Sequence, residues 1–509
     1  MKKIFSYFAI GSLILTLCCC DKDFEKININ PTLTSDLDPG YLLSTAELNS
    51  AVNNFHYGAE IVQQIITPFT GVLEGGNHNV VYDPNIDDIF NGMYDTPAKL
   101  LADIISRTKD NPDRSNLYNV ARIWKAYVFQ ILVDTYGDVP YSEAGKAFID
   151  GNYQPKYDDQ KVIYDDLLTE VSDAVSQLDP SKDAIDEDIF YNGNIDQWKR
   201  LGNSLLLRIA MRLTQVDQDK AKQYVAMAVD PSHGGVMQSN DDNAVVLYNS
   251  LFTNSVSSTF NGSERANYYV GAPFVDFLQQ TDDPRLKVIA VKYANPSSPI
   301  DDAGPEDTDP ADQQGMPYGY SEVTIVNAPG FPGKIGTAFK YSQFNRRTVI
   351  ALEAPKFLVT YAQTELLLAE AAQRGWVSGS AADHFAKGVT AGMQQMALYG
   401  DLGQIPDGDI TAYLAAHPFD PANALEQINN QYWVASFLNS SEAWANFRRS
   451  GYPKLAPNPY PNADPSVKGD FIHRLVYPSR EKSVNTDNYN AAVEHMGGDN
   501  LGIHLFWEK

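Results

Sequence analysis

Apolar residues spaced three and four apart recur along this chain and commit most of it to helices. Between residues 118 and 135, Ala121, Trp124, Val128, Ile131 and Leu132 fall at offsets of 0, 3, 7, 10 and 11, which gathers them on one face of an α-helix. Segment 160–178 repeats the habit with Val162, Leu167, Leu168, Val171, Val175 and Leu178, and segment 196–213 with Trp198, Leu201, Leu205 and Ile209. A helix pair is predicted over 357–374 and 380–398, joined at Gly375-Trp376-Val377-Ser378-Gly379, and two further helices over 422–448. Residues 231–271, 292–350 and 450–509 carry Asn, Ser, Gly, Pro and aromatics with little period. Such long stretches are uncommon as idle loops and are usually functional or disordered. The expectation is a mainly α-helical scaffold with long, irregular, aromatic-bearing excursions. No fixed internal repeat is visible, so a regular solenoid does not follow.

The first twenty residues read as an export signal. Lys2 and Lys3 precede an apolar run from Ile4 to Leu17, and Cys18, Cys19 and Cys20 then give way to Asp21-Lys22-Asp23. A positive start and a short apolar run mark a secretory signal, and the run is shorter than the roughly 20 residues of a spanning helix. Leu17 stands three positions before Cys20, a pattern that resembles the bacterial lipobox. Cys18 has Leu15 at the same offset, but bulky Leu17 would then occupy the residue before the cut. The expected organisation is a signal at 1–19, a lipidated flexible leader from Cys20 to residue 40, and a binding domain over 41–509. Because the chain's 3 cysteines all lie at 18–20, the body after Cys20 can form no internal disulfide.

Charge narrows the partners. The net charge of −25 becomes −27 once Lys2 and Lys3 leave with the signal. A body this acidic repels nucleic acid and anionic headgroups. Catalytic constellations are missing from the sequence as well. There is no HExxH, and the 8 histidines are scattered, so a zinc site has no sequence support and no metal is expected. Gly330-Phe331-Pro332-Gly333-Lys334-Ile335 imitates a phosphate loop, but its glycines are too close and Ile335 replaces the hydroxyl residue. Neither GxSxG nor a free thiol supplies a nucleophile. The acidic run Asp301–Asp312 lacks the spacing and glycine of a calcium loop, and no cofactor is implied. Nothing singles out a glycosidase carboxylate pair among the acid clusters.

A sugar-binding site needs exposed rings for the sugar's C–H faces and amides for its hydroxyls. Three loop groups offer both. They are Asn77, His78 and Asn79 with Tyr82; Phe252, Asn254, Phe260, Asn261, Asn267, Tyr268 and Tyr269; and Tyr318, Tyr320 and Tyr341. The second group, where rings and amides interleave, is the strongest candidate.

The helix 118–135 runs into Asp134-Thr135-Tyr136-Gly137-Asp138-Val139-Pro140-Tyr141-Ser142-Glu143-Ala144. Here Gly137 ends the helix and Pro140 prevents its continuation. This junction resembles the SusD/RagB family of nutrient-binding outer-membrane lipoproteins of Bacteroidetes. The likeness continues through Tyr191–Arg212, Asp283-Pro284-Arg285-Leu286, Tyr361–Ala372, Glu442–Pro453 and Tyr477-Pro478. The resemblance implies helix pairs of tetratricopeptide type, a ligand site on the decorating loops, and no enzymatic role. It also implies an outer-membrane, surface-exposed location and a SusC-like TonB-dependent transporter as partner. The ligand class stays open between oligosaccharide and peptide, and a surface glycoside hydrolase is the alternative from another class. Trp198, Arg208, Arg212, Trp444, Arg448 and Arg449 are expected to hold the scaffold, with Glu365 or Glu370 as buried partners of Arg208 and Arg212.

Overall fold

The computed structural model describes residues 37–51, 56–71 and 74–508. Cys20, the signal 1–19 and the leader up to residue 36 lie outside the described residues. Among the described residues, the helices of nine residues or more are α1 (Gly40–Asn49), α2 (Asp83–Met93), α3 (Lys99–Thr108), α4 (Ser115–Tyr136), α5 (Gln160–Gln177), α6 (Ile195–Arg212) and α7 (Gln218–Ala228). After them come α8 (Ala272–Gln280), α9 (Tyr361–Gln373), α10 (Ala381–Gln394), α11 (Asp407–Ala416), α12 (Ala424–Ala435), α13 (Ser440–Ser450) and α14 (Thr486–Met496). Sequence neighbours pack as pairs: α3 on α4, α5 on α4 and α6, α6 on α7, α9 on α10, and α12 on α13. The mainly α, helix-pair scaffold expected from the periodicity is the one observed.

Local chemistry sets the helix ends. The Asn194 side chain accepts from the Asp196 and Gln197 amides to start α6, and Thr360 with Gln363 forms a capping box on α9, each satisfying backbone donors the helix leaves unpaired. α4 stops at Gly137, whose φ of +84° no other residue adopts cheaply. Its amide still reaches Val133 O at 3.0 Å. The chain then pairs Val139 with Asp158 and Pro140 with Tyr157 in a minimal antiparallel ribbon.

The core is dominated by fully buried aromatics. Trp124 meets Trp198 edge-to-face at 6.3 Å and stacks on Tyr127 at 4.3 Å. Both indoles keep their N–H bonded, Trp124 to Ser50 Oγ and Trp198 to Asp188 Oδ2, as buried indoles require. On α5 the buried face is Ile163, Tyr164, Leu167, Leu168, Val171, Ala174 and Val175. Val162, assigned to that face from its spacing, is instead exposed. Tyr164 takes the place, turning its hydroxyl to Asp134.

The arginines hold the scaffold, though two have different partners from those expected. Arg212 pairs with Asp134 at 3.2 Å and Glu442 at 2.5 Å, and Arg208 donates to Gln363 Oε1 at 2.7 Å. Glu365 meets His384 instead, and Glu370 takes Arg449 and Arg374, each at 2.8 Å. Helix spacing places these charges inside but does not choose among acids on neighbouring helices.

The aperiodic stretches contain more order than their patterns show. Residues 231–271 include the helix Ser255–Asn261, and 450–509 include α14. α14 buries only Tyr489 and Ala492, so it has no apolar stripe to read. Short strands tie the excursions together: Ile65–Ile66 with Tyr269–Val270, Ala244–Val246 with Lys356–Val359, and Lys334–Ile335 with Ala338–Phe339. Beside the main core a smaller one forms from Ile66, Tyr269, Met316, Tyr318, Ile325, Phe339 and Tyr341.

Candidate ligand-binding surface

Two of the three loop groups converge on this smaller core. Asn77 and Asn79 are buried at 0% and 1% exposure, and their amides act as internal ties. Asn77 donates to Thr67 O and Tyr320 O, while His78 Nε2 lies 3.2 Å from Tyr320 O. Tyr318 donates its hydroxyl to Gly76 O at 2.7 Å and to Asn79 Oδ1 at 3.1 Å. A third segment closes the floor from the far end of the sequence. Asn458 donates to Asn77 O, Asp464 N to Asn79 O at 2.8 Å, and Tyr460 stacks on the His78 ring at 4.1 Å. Asn79 holds a positive φ of 52°, a conformation that asparagine tolerates better than most residues. Beneath the loop, burial raises the Glu60 carboxyl well above the usual range, despite amide bonds from Asn77 and Gly76.

Above this floor lies a set of rings centred on the hairpin Lys334–Ile335/Ala338–Phe339. Phe339 lies 5.7 Å from Phe69, 6.1 Å from Tyr269 and 6.1 Å from Phe331. The Tyr269 hydroxyl accepts the Phe339 amide at 2.9 Å. Phe69, Tyr320 and Phe331 are the partly exposed rim, and half-buried Tyr82 donates to Gly71 O nearby. A cavity of about 160 Å³ opens beside the hairpin, lined by Lys292, Tyr293, Ile335, Phe339, Tyr341 and Gln343. At roughly 30 Å³ per liquid water, that is room for about five waters. Among the described residues, the Tyr341 hydroxyl and the Gln343 Oε1 have no hydrogen-bond partner. Burial, with Tyr320 beside it, pushes the Tyr341 hydroxyl up to about 12, so it keeps its proton. Both atoms are shut off from solvent and so do not themselves face the cavity.

The 252–269 group divides. Phe260 and Tyr268 stack on each other at 4.1 Å in the main core, and Tyr269 is fully buried in the smaller one, so none of these rings faces outward. Asn254 caps the helix Ser255–Asn261 and donates to Ala354 O, and Asn261 donates to Ile350 O. Half-exposed Phe252 stacks on Tyr248 beside exposed Leu247 and Leu251, apart from the hairpin rings. Tyr318 is buried, and its role is in the floor.

Several residues escaped the sequence reading. Phe331 was met only inside a phosphate-loop lookalike, and Tyr460 lies in a proline-rich stretch where nothing marks it. Phe148 and Tyr153, exposed at 83% and 72%, stand on the segment that forms one wall of a larger cleft. That cleft, of about 760 Å³, also takes in Asn91, Tyr94, Asn152, Gln154, Arg480 and Asn485. The same segment follows the YGDVPYSEA junction, whose sequence marks a turn and carries the family resemblance but names no cleft.

No described helix is long and apolar enough to cross a membrane. A SusD-like family model, described as starch-binding and associating with the outer membrane, matches residues 31–478. Among solved structures, a chitin-binding protein shares 33% identity and a TM-score of 0.79, over 93% of this chain and 100% of its own. A Bacteroidetes SusD-like protein shares 27% identity and a TM-score of 0.79, over 93% and 100%. A chitin-binding SusD homologue from Flavobacterium johnsoniae, at 22% identity, TM-score 0.74 and 92% and 97% coverage, shares the fold. No curated protein matches the chain. With the helix pairs, the decorating loops and a family match over most of its length, the chain belongs to the SusD-like family.

Proposed function

We propose that this chain is a surface lipoprotein, tethered through Cys20, that binds oligosaccharide and passes it to a SusC-like TonB-dependent transporter in the outer membrane. The observation that carries the binding reading is the ring cluster around the hairpin, with partly exposed Phe69, Tyr320 and Phe331 at its rim and a small cavity beside it. Ring faces take the apolar side of a sugar. The best-supported ligand class is a chitin oligosaccharide, because the 33%-identical neighbour is named for chitin binding. In this reading Tyr82, Tyr320, Phe69 and Phe331 present the surface, while Asn77, Asn79 and Tyr318 position it. Phe252 stands apart as a separate contact.

Titration calorimetry against chitin oligosaccharides, other glycans and peptides tests the reading. Tyr320→Ala is expected to weaken saccharide binding about tenfold, the loss of roughly 1.4 kcal/mol of ring contact. Tyr341→Phe, which keeps the ring and removes only a buried hydroxyl, is expected to leave binding within about threefold. Binding of peptides alone would move the chain to peptide uptake, and release of shorter sugars would make it a hydrolase. If Tyr153→Ala abolishes binding and Tyr320→Ala does not, the site is the cleft beside residues 148–155. The anchor has its own measurement: Cys20→Ala is expected to leave the membrane fraction, and retention there sinks the tether.

A further inference from the structure

Asp470, His473 and His504 bring a carboxylate oxygen and two imidazole nitrogens within 4.8 Å of one another. Two stretches build this corner, 470–474 and 501–508, joined where the His473 and Arg474 amides donate to Leu501 O at 2.9 and 3.4 Å. His473 is fixed at several atoms. Its Nδ1 lies 2.6 Å from Glu508 Oε2, and its backbone oxygen accepts from Arg448. Arg448 also donates to the other oxygen of Glu508 at 3.1 Å, which keeps that carboxylate an acceptor. The bond to Glu508 therefore places the His473 proton on Nδ1 and the lone pair on Nε2. That Nε2 is buried and has no hydrogen-bond partner among the described residues, with Asp470 Oδ2 standing off at 3.6 Å. A lone pair facing a carboxylate oxygen across that gap is an arrangement that a cation between them would satisfy.

The second imidazole stands beside the first and has to turn out of its stack to share an ion. His504 stacks on His473 with centroids 3.6 Å apart and rings 23° from parallel, and its Nδ1 also faces Glu508 Oε2, at 3.5 Å. We propose that Asp470, His473 and His504 bind a divalent transition metal, zinc fitting the donor set best. Glu508 is the outer carboxylate that orients His473. Two imidazoles and a carboxylate are borderline ligands of the kind zinc takes at about 2.0–2.2 Å, with a fourth position left to water. A carboxylate on the far nitrogen of a ligating histidine is the usual outer support. Tetrahedral ligands at those lengths stand roughly 3.3 Å apart, so the corner contracts on binding. His504 and Asp470, with side chains 46% and 60% exposed, are free to swing in, while His473 at 13% stays put. The metal would staple the 501–508 stretch onto 470–474. Asp470 O also accepts from Asn79 at 3.3 Å, so the staple adjoins the floor of the ring cluster.

Zinc titration of the full chain by calorimetry, in a non-chelating buffer, tests this. The expected result is one zinc per chain, lost in His504→Ala and weakened about 10–100-fold in Glu508→Gln. Zinc is expected to raise the melting temperature of the unmutated chain and not that of His504→Ala. Exposed His233 is the control, and His233→Ala is expected to bind as the unmutated chain does. Absence of zinc binding, or equal binding by His504→Ala, overturns the site. His504 is partly exposed, so its removal leaves the fold intact, and far-ultraviolet circular dichroism verifies that.

Discussion

Glu370 is buried between Arg449 and Arg374, with Asn429 completing its shell. Burial alone would raise its carboxyl, but the two guanidiniums outweigh it and hold it down to about 2. A carboxylate lowered on folding stabilises the protein above its unfolded value of 4.5, and that stability drains as pH falls from there towards 2. The amount is on the order of 3 kcal/mol. Glu370→Gln leaves buried Arg449 and half-buried Arg374 without their anion and is expected to cost about 3–5 kcal/mol at neutral pH. Urea unfolding at pH 7 and pH 3 reads both effects, and the variant is expected to show the smaller pH difference. That these arginines serve the scaffold was legible from their places on apolar helices. Which acid each would meet was not, because Asp134 and Glu442 reach Arg212 from other helices.

At the scale of elements, the sequence was most informative where a helix has one apolar stripe and a marked end. α4 is such a case: its buried positions include Ala121, Trp124, Val128, Ile131 and Leu132, and Gly137 ends it. A Cβ on Gly137 would sit 2.6 Å from Met496 Cε in a backbone conformation that side chains rarely adopt. Gly137→Ala is therefore expected to lower stability by about 1–3 kcal/mol in denaturant unfolding, with the flexible methionine absorbing the contact. α14 is the opposite case. Its polar surface and two buried residues give no period, and contacts with distant segments place it: Met496 and Tyr489 by packing, Asn488 by its bond to Gln154 O and His495 by its bond to Asp138.

Across the whole molecule, the candidate surface was half legible. Rings and amides interleaved in loops pointed to residues 77–82 and 318–341, which do meet. The same pattern at 252–261 marks a capped helix and its packing, since an amide that ties a loop and one that awaits a ligand look alike in sequence. Asn458, 381 positions from Asn77, adds a further tie beneath the two loops, and no local pattern announces it. Asn458→Ala is expected to weaken oligosaccharide binding several-fold without touching the ligand. Hydrogen exchange over residues 74–80 is expected to rise in parallel, and unchanged exchange would separate the loop from the site.

That long reach also sets an order of events in time. The floor unites residues 76–79, 318–320 and 458–464, and the entropy of closing so large a loop has to be met before its contacts return anything. Helix pairs such as α9 and α10 form from neighbours and need no such wait. The loop cluster is therefore expected to mature after the local helix pairs, as other contacts of long reach do. A chain that ends before residue 458 retains the segments for its first thirteen long helices yet lacks the residue that closes the floor, so helix content alone is a poor measure of whether it is ready to bind.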